Sequence, residues 1–353
     1  MAPDTTMKTG TGAPARPRGV SEAGLSIVVP LFNEARNVNS LHGHIVEVAR
    51  RLKATRGLAT EVVYVDDGSR DGTLAAAQGL DPDSLDIQVI SLSRNFGKEA
   101  ALLAGLDHVR LGPVLFMGGD GQHPPALVEE LVGHWLDDGY DVVYTAKAHR
   151  QSEPWLPRFG VRVFYSLINW SARQRIPEDA GDFWLLSPRA AAALKQLPER
   201  NRFFTGLVSW IGFRQIRVNY EPEERIRGRT TWNLYSLIQF SIQGLTSFSV
   251  APLRLASLLG LLLATVAFMF GLQILIETFL FGESVPGYPS LVVGLMVLGG
   301  VQLIMIGIVG EYIGKILSEL KARPVYFVAE HTLKTAEGVG AAADDPPPRS
   351  SAE

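Results

Sequence analysis

The stretch that decides the fold is Val62-Val63-Tyr64-Val65-Asp66-Asp67-Gly68-Ser69. Four apolar residues that favour β-structure are followed at once by two carboxylates, a glycine and a serine. This pattern predicts a buried parallel strand that ends in a polar loop. In open α/β sheets ligands bind beyond the carboxyl ends of strands, so the two carboxylates suit a ligand with hydroxyls, an imide N–H or a bound cation. A solvated turn that caps the next helix is the alternative.

Apolar runs and helical periodicities alternate along the chain on both sides of this stretch. The predicted strands are 25–30, 61–65, 87–92, 114–117 and 141–146, and the predicted helices between them are 37–52, 73–80, 99–109 and 125–136. Beyond position 147 the alternation weakens, with a helix predicted at 158–170 and strands at 183–186 and 213–220. Strands that alternate with helices predict an α/β domain with a mostly parallel sheet, which we assign to residues 24–230.

Composition narrows the class of protein. The chain has 353 residues and a net charge of −3, so no overall positive field suggests a nucleic-acid partner. It contains no cysteine, which excludes disulfides, thiolate metal sites and cysteine nucleophiles. Residues 1–23 and 331–353 are rich in small residues and proline, and we predict that both tails are disordered.

Two long uncharged segments near the C-terminus predict a transmembrane hairpin. Residues 255–276 and 291–309 carry no charge, and each is close to the ~20 apolar residues that cross a bilayer core as a helix. We place the spans at 251–281 and 289–313. The link between them has no Lys or Arg, whereas both outer flanks do, so the large domain and the 314–330 segment are predicted to be cytoplasmic.

The segment just before the first span is uncharged between Trp232 and Phe248 and has helical periodicity. We predict that residues 231–250 form an amphipathic helix that lies in the membrane interface. An ordinary amphipathic core helix is the alternative.

Polar side chains follow four successive strands of the predicted sheet, which favours a single cleft at their carboxyl ends. These groups are 33–34, 66–67, 94–98 and 120–123. No glycine-rich dinucleotide fingerprint follows the first strand, and Gly97-Lys98 lacks the Ser or Thr of a phosphate-binding loop. Asp120, Gln122 and His123 could ligate a hard divalent cation, or the glycines around Asp120 could simply form a tight turn.

Arginines cluster ahead of the predicted membrane segments. They are Arg200, Arg202, Arg214, Arg217, Arg225, Arg227 and Arg229. A planar, permanently charged guanidinium suits phosphate, so the cluster would meet a phosphate headgroup that arrives from the membrane. A basic flank that merely attracts anionic lipids is the alternative.

Several motifs together resemble family 2 glycosyltransferases of the GT-A fold. They are Val28-Val29-Pro30-Leu31-Phe32-Asn33-Glu34, Val65-Asp66-Asp67-Gly68-Ser69, Ser93-Arg94-Asn95-Phe96-Gly97-Lys98, Asp120-Gly121-Gln122-His123-Pro124 and Asp179-Ala180-Gly181-Asp182-Phe183. With Gly310-Glu311-Tyr312 near the C-terminus, they are similar to the polyprenyl-phosphate glycosyltransferases, which include bactoprenol glucosyltransferases and dolichyl-phosphate mannose synthases.

The resemblance implies inverting transfer of a hexose from a nucleotide sugar, of the UDP-glucose or GDP-mannose type, to a polyprenyl phosphate in a bacterial cytoplasmic membrane. The residues that would bind the nucleotide sugar are Pro30, Phe32, Asn33, Glu34, Asp66, Asp67, Lys98, Gly119 and Asp120. Asp120, with Gln122 and His123 nearby, would hold Mg²⁺ or Mn²⁺. Asp179 and Asp182 would serve the acceptor, and the arginines that would meet phosphate are Arg200, Arg202, Arg225 and Arg229. A homotetramer is a further expectation from some relatives.

The sequence departs from the family pattern at three positions. Gly118 replaces the first carboxylate of the usual Asp-x-Asp motif, which puts metal affinity and metal choice in question. Trp184 and Thr231 stand where the family more often has Arg and Lys, so each removes a positive charge near the predicted phosphate site. Two other functions therefore stay open: a non-catalytic membrane scaffold and, with fewer supporting features, a processive polysaccharide synthase.

Overall fold

The structure, a computed structural model, describes residues 24–119, 125–147, 180–200, 202–220, 251–281 and 287–336. The strands are β1 (Gly24–Leu31), β2 (Ala59–Asp66), β3 (Asp86–Leu92), β4 (Val114–Phe116), β5 (Val142–Lys147), β6 (Ala180–Leu186), β7 (Gln215–Tyr220) and β8 (Val328–Lys334). The helices are α1 (Val38–Arg56), α2 (Thr73–Gln78), α3 (Lys98–His108), α4 (Pro125–Leu136), α5 (Pro188–Lys195), α6 (Phe204–Trp210), α7 (Ala251–Phe281) and α8 (Tyr288–Leu320).

The described strands form one sheet in the order β7-β5-β6-β4-β1-β2-β3-β8. The central pairs β4-β1, β1-β2 and β2-β3 are parallel, and so is the β5-β7 pair. In contrast, β6 runs antiparallel to β4 and β5, and β8 runs antiparallel to β3. The predicted α/β fold with a mostly parallel sheet is confirmed. The sheet also contains antiparallel pairs, which the strands β6 and β8 form with their neighbours.

Helices cover both faces of the sheet, which explains why β2 is apolar at consecutive positions. Val62 and Tyr64 belong to the core cluster that includes Ile45 of α1. Val63 belongs to the opposite cluster, with Leu106 of α3. All four residues from 62 to 65 are fully buried, as predicted for a strand with two covered faces.

The two predicted apolar helices are present, and the second is longer than predicted. Both α7 and α8 are long and apolar enough to cross a membrane, over Leu255–Ile274 and Gly294–Leu320, with mean hydropathies of 2.3 and 1.8. Helix α8 continues to Leu320, beyond the predicted end at position 313. Glu311 and Lys315 interrupt the uncharged run but favour helix, so the apolar pattern ends before the helix does.

The prediction of a disordered tail from position 331 is wrong over residues 331–334. These residues belong to β8, which pairs with β3 from Ile87 to Leu92. The strand forms because the outer edge of β3 offers unpaired N–H and C=O groups. The Lys334 Nζ atom also donates to the carbonyl oxygen of Leu80 at 2.8 Å, which fixes the end of the strand.

Other predictions fall outside the described residues. They concern the tail 1–23, the helix 158–170, the amphipathic helix 231–250 and the remaining tail 337–353.

Candidate active site

The carboxyl ends of β1, β2 and β3 lie side by side, because the parallel register pairs Leu31 with Asp66 and Asp66 with Ser91. The loops that follow these strands therefore leave the sheet at one edge, where α/β proteins bind ligands. Two adjoining cavities of about 660 and 310 Å³ open along this edge, and Phe32 and Asn95 line both.

The larger cavity contains a buried carboxylate with little hydrogen bonding from the protein. Asp66 is 2% exposed and lines this cavity together with Ser91 and Arg94. Its Oδ1 accepts from the Ser69 N–H at 3.3 Å, and its Oδ2 accepts from the Ser91 hydroxyl at 3.4 Å. Both distances exceed the ~2.7–2.9 Å of strong bonds to a charged group. The Asp66 oxygens therefore keep capacity for donors on a ligand.

The neighbouring carboxylate has a different role, because it fixes the loop that follows β3. The Asp67 Oδ1 accepts from the Phe96 N–H at 2.7 Å, and the Oδ2 accepts from the Gly97 N–H at 2.9 Å. Burial raises the pKa of Asp67, and these two hydrogen bonds oppose that rise. Gly68 lets the two loops touch: its φ is +65°, and a Cβ there would meet the Arg94 carbonyl carbon at 2.5 Å.

The loop after β1 is tied to the loop after β2 through Asn33. The Asn33 N–H donates to the Ser69 hydroxyl at 2.9 Å, and its Oδ1 accepts from the Arg70 N–H at 3.0 Å. Asn33 has a φ of +56°, a left-handed conformation that asparagine tolerates better than most residues. These bonds leave the neighbouring Phe32 ring 46% exposed at the boundary between the two cavities.

The smaller cavity lies beyond β1 and β4 and is lined by Pro30, Glu34, Lys98 and Gly119, among other residues. Glu34 accepts from the Asn37 amide at 2.6 Å, which orients its carboxylate. Gly119 packs against the end of β1, where a Cβ would come within 3.0 Å of the Pro30 carbonyl oxygen. A close approach of this kind favours glycine, and it brings the chain after β4 to the rim of the cavity.

The antiparallel register of β6 brings the backbone of Asp182, one of the two predicted acceptor residues, towards the same edge. Phe116 of β4 pairs with Trp184 of β6. Because the two strands run in opposite directions, the backbone of Asp182 comes beside the chain that leaves β4 at Gly118. Gly118 lines the smaller cavity.

Arg200 binds groups near the end of α8, and Arg202 binds carbonyl oxygens of the loop that follows α5. The Arg200 N–H donates to both carboxylate oxygens of Glu319, at 3.0 and 3.1 Å, and its Nε donates to the Arg323 carbonyl oxygen at 2.9 Å. The Arg202 Nε donates to the Glu199 carbonyl oxygen at 2.9 Å. Its Nη1 is buried and has no hydrogen-bond partner among the described residues. Burial also lowers the pKa of Arg202.

Comparisons with known proteins decide the family. Residues 26–194 match the family described as glycosyl transferase family 2. An uncharacterized glycosyltransferase of Synechocystis sp. is 41% identical over 87% of this chain and 95% of its own length. The bactoprenol glucosyl transferase of Shigella phage SfII is 38% identical over 86% and 97%. The chain belongs to glycosyl transferase family 2. It is therefore a glycosyltransferase, as the sequence motifs predicted.

Among solved structures, this family 2 chain is similar to glucosyl-3-phosphoglycerate synthase from Mycobacterium tuberculosis, crystallised with Mn²⁺, UDP-glucose and phosphoglyceric acid. The identity is 18%, the match covers 64% of this chain and 79% of that chain, and the TM-score is 0.41.

The residues predicted to bind metal lie outside the part of the chain that the structure describes. They are Asp120, Gln122 and His123; the predicted residues Asp179, Arg225 and Arg229 are outside it as well. Within the described ranges, no group of three or more His, Asp or Glu side chains could hold a metal ion. Gly119, which directly precedes residues 120–123 in the sequence, lines the smaller cavity.

The structure places Trp184, one of the departures from the family pattern, in the interior of the domain. Its side chain is only 3% exposed. Its ring packs edge-on against Phe116 at 6.4 Å and lies 6.0 Å from the Phe204 ring. Position 184 is therefore part of the hydrophobic core of the glycosyltransferase domain, where an arginine would be costly to bury.

Ser69, Ser91 and Ala329 are among the residues of the larger cavity that sequence reasoning missed. Ser69 and Ser91 are the two partners of Asp66, and Ala329 of β8 forms another part of the wall. The serines could have been found, because Ser69 directly follows the strand-end carboxylates and Ser91 ends the next strand. Ala329 had no such signal, because it follows the second apolar helix and lies far from the other lining residues in sequence.

Proposed function

We propose that this glycosyltransferase transfers a hexose from a nucleoside diphosphate sugar to a polyprenyl phosphate in a membrane, with inversion at the anomeric carbon. The observation that carries the proposal is the pair of adjoining cavities along one edge of the sheet, with Asp66 in one and Lys98 and Gly119 in the other. A nucleotide sugar has two matching parts, a nucleoside and a glycosyl diphosphate.

The nucleoside fits the larger cavity. Its carboxylate, Asp66, accepts only long hydrogen bonds from Ser69 and Ser91, so it is suited to accept from an imide N–H of a base or from a hydroxyl of the ribose. Arg94 lies beside it, with its guanidinium 4.1 Å from the centre of the Phe96 ring. The rim ring of Phe32, 46% exposed, offers an apolar face to the base.

The diphosphate and sugar fit the smaller cavity. Lys98 lines this cavity and carries a positive charge. It is also the first residue of α3, so the backbone N–H groups and the dipole at the start of this helix add to the positive potential. Asp120, with Gln122 or His123, would hold Mg²⁺ or Mn²⁺ against the diphosphate. When bound, such an ion stabilises the charge that develops on the leaving diphosphate.

The reaction needs little proton transfer. A phosphate monoester has a second pKa near ~6, so the acceptor phosphate is mostly dianionic at neutral pH. One of its oxygens forms the bond to the anomeric carbon, and the bond from that carbon to the diphosphate oxygen breaks, releasing a nucleoside diphosphate. Asp182 or Asp179 would orient the acceptor rather than act as a strong base. Alignment of the two substrates then supplies much of the rate.

The acceptor is inferred from two features. Relatives from Shigella phages carry the name bactoprenol glucosyl transferase, and one from Escherichia coli is named a prophage bactoprenol glucosyl transferase homolog, at 37–38% identity over most of the chain. Helices α7 and α8 are long and apolar enough to hold the protein in the membrane where such a lipid resides. The same names favour glucose as the sugar. We keep the cytoplasmic position of the catalytic domain, and the homotetramer, as predictions from the sequence.

The test is a donor panel. Membranes that contain the protein are incubated with radiolabelled UDP-glucose or GDP-mannose and Mg²⁺ or Mn²⁺, and then extracted with organic solvent. The proposal predicts a labelled lipid that mild acid hydrolyses, and its loss on chelation of the metal. Label in an aqueous polymer would instead indicate a processive synthase. No product and no nucleotide binding with any donor would indicate a scaffold.

A further inference from the structure

Strand β8 contributes a wall to the larger cavity. Ala329, in this strand, lines the cavity that also contains Asp66 and Ser91. The chain reaches Ala329 only after it has passed through α8, the second candidate membrane span.

Ala329 lies at a bulge in β8. The antiparallel register pairs Ser91 with Glu330 and Leu92 with Val328, so Ala329 has no opposite residue in β3. Bulges of this kind occur next to functional sites, where they re-aim a side chain. Next to the bulge, the Ser93 N–H donates to the Phe327 carbonyl oxygen at 2.9 Å. The C-terminal segment therefore stays attached to the loop whose other residues line the cavity.

Side chains on both sides of the bulge anchor the strand. Before it, the Tyr326 hydroxyl donates to the Asp107 carboxylate at 2.8 Å. After it, the His331 Nε2 and the Gln88 Oε1 lie 2.9 Å apart in a hydrogen bond. With both ends held, the backbone around position 329 cannot move away without loss of these bonds. Ala329 is exposed and lines the cavity, so a larger side chain there would take up cavity space.

We propose that β8 is part of the donor site and that Ala329 sets the room available to the nucleoside of a nucleoside diphosphate sugar. This inference rests on the proposed function. An alanine has no atom beyond Cβ, so it leaves space that a larger side chain would fill. The nucleoside pocket is thus completed by chain that follows the second apolar helix.

The experiment measures binding of UDP and of GDP, with Mn²⁺, to the full-length protein in detergent by titration calorimetry. Ala329→Leu is compared with Ala336→Leu, the same change at an exposed alanine of the same segment that does not line the cavity. We expect Ala329→Leu to weaken the nucleotide that the wild type binds by about tenfold or more. Ala336→Leu is expected to bind the nucleotide as the wild type does.

Steady-state kinetics and hydrogen exchange complete the test. In Ala329→Leu the KM for the donor should rise while the KM for the lipid acceptor is unchanged. In the wild type, bound nucleotide should slow amide exchange in peptides that cover 325–334. Unchanged nucleotide affinity in Ala329→Leu, or no exchange protection in this segment of a wild type that binds nucleotide, overturns the inference alone. A wild type that binds neither nucleotide overturns the proposed function and this inference with it.

Discussion

The two ends of strand β2 each carry a buried carboxylate, and the protein treats them in opposite ways. Glu61, near the start of the strand, is fully buried, and Asp66, at its end, is 2% exposed. The Glu61 oxygens accept five hydrogen bonds from protein donors, whereas Asp66 accepts two long ones. The Glu61 donors include the Arg110 Nε at 2.9 Å and the Ser26 hydroxyl at 2.6 Å.

Burial alone therefore does not mark a functional carboxylate in this fold. A carboxylate whose acceptor positions are filled by the protein stabilises the structure, and one that keeps free capacity and borders a cavity is available to a ligand. Glu61 lies near the amino end of strand β2, where protein donors occupy its oxygens. Asp66 opens on the 660 Å³ cavity at the carboxyl end. The following variants use this contrast, in order of expected effect.

Glu61→Gln should give the largest change, a loss of about 3 kcal/mol in stability. The amide nitrogen of the new glutamine cannot accept the hydrogen bonds that Arg110 and Gln88 donate to Glu61. The buried hydrogen-bond network also loses the negative charge of the carboxylate. Thermal unfolding of the purified protein measures this as a lower midpoint. The kcat/KM per folded molecule should stay at the wild-type value; a loss of activity without a loss of stability would contradict the structural role.

Asp66→Asn should lower activity and leave stability almost unchanged, the opposite of Glu61→Gln. We expect a loss of about a hundredfold in kcat/KM for the donor, about 2.7 kcal/mol, because the amide replaces an acceptor that the ligand needs. The unfolding midpoint should barely change, since Ser69 and Ser91 are only weakly bound to this carboxylate. Initial rates at varied donor concentration provide the measurement. A large fall in the unfolding midpoint would contradict the contrast with Glu61.

Asp67→Asn should have a smaller effect that is divided between stability and donor binding. One amide group cannot accept from both the Phe96 and Gly97 N–H groups, so stability should fall by about 1–2 kcal/mol. The KM for the donor should also rise, because the 93–97 loop lines both cavities. Parallel unfolding and kinetic assays test this, and a change in only one of the two quantities would count against it.

The smallest effects are expected from the serine partners. Ser26→Ala removes a hydroxyl that donates to Glu61 at 2.6 Å and should cost about 1 kcal/mol of stability. Ser91→Ala removes one that donates to Asp66 at 3.4 Å and should change stability by less than about 0.5 kcal/mol. Denaturant titration of the two variants side by side measures the difference. Equal losses would show that the two carboxylates are held equally tightly.

Much of the fold follows from local sequence. The strand from Val62 to Val65 was predictable because both of its faces are covered, which makes every position apolar. Helices α7 and α8 were predictable from the length of their uncharged runs. Strand β8 was not, because it depends on the free edge of β3, and nothing within Val328–Lys334 indicates that edge.

Contacts between distant parts of the chain also limited what the sequence could predict about the candidate site. The sequence identified Asp66 and Asp67 as strand-end carboxylates but could not separate their roles, because the difference depends on which backbone N–H groups fold against each oxygen. It assigned Arg200 to phosphate from the charge of the arginine cluster and from the family resemblance. The contact of Arg200 with Glu319 joins residues far apart in the chain and emerges only from the fold.

The central claim is that Asp66, and not the equally buried Glu61, binds the nucleotide. The most direct test is the dissociation constant of UDP or GDP for the wild type, Asp66→Asn and Glu61→Gln, at a temperature where all three are folded. If Asp66 binds the nucleotide, Glu61→Gln should bind as tightly as the wild type and Asp66→Asn at least about tenfold more weakly. Wild-type affinity in Asp66→Asn, or an equal loss in folded Glu61→Gln, would contradict that claim.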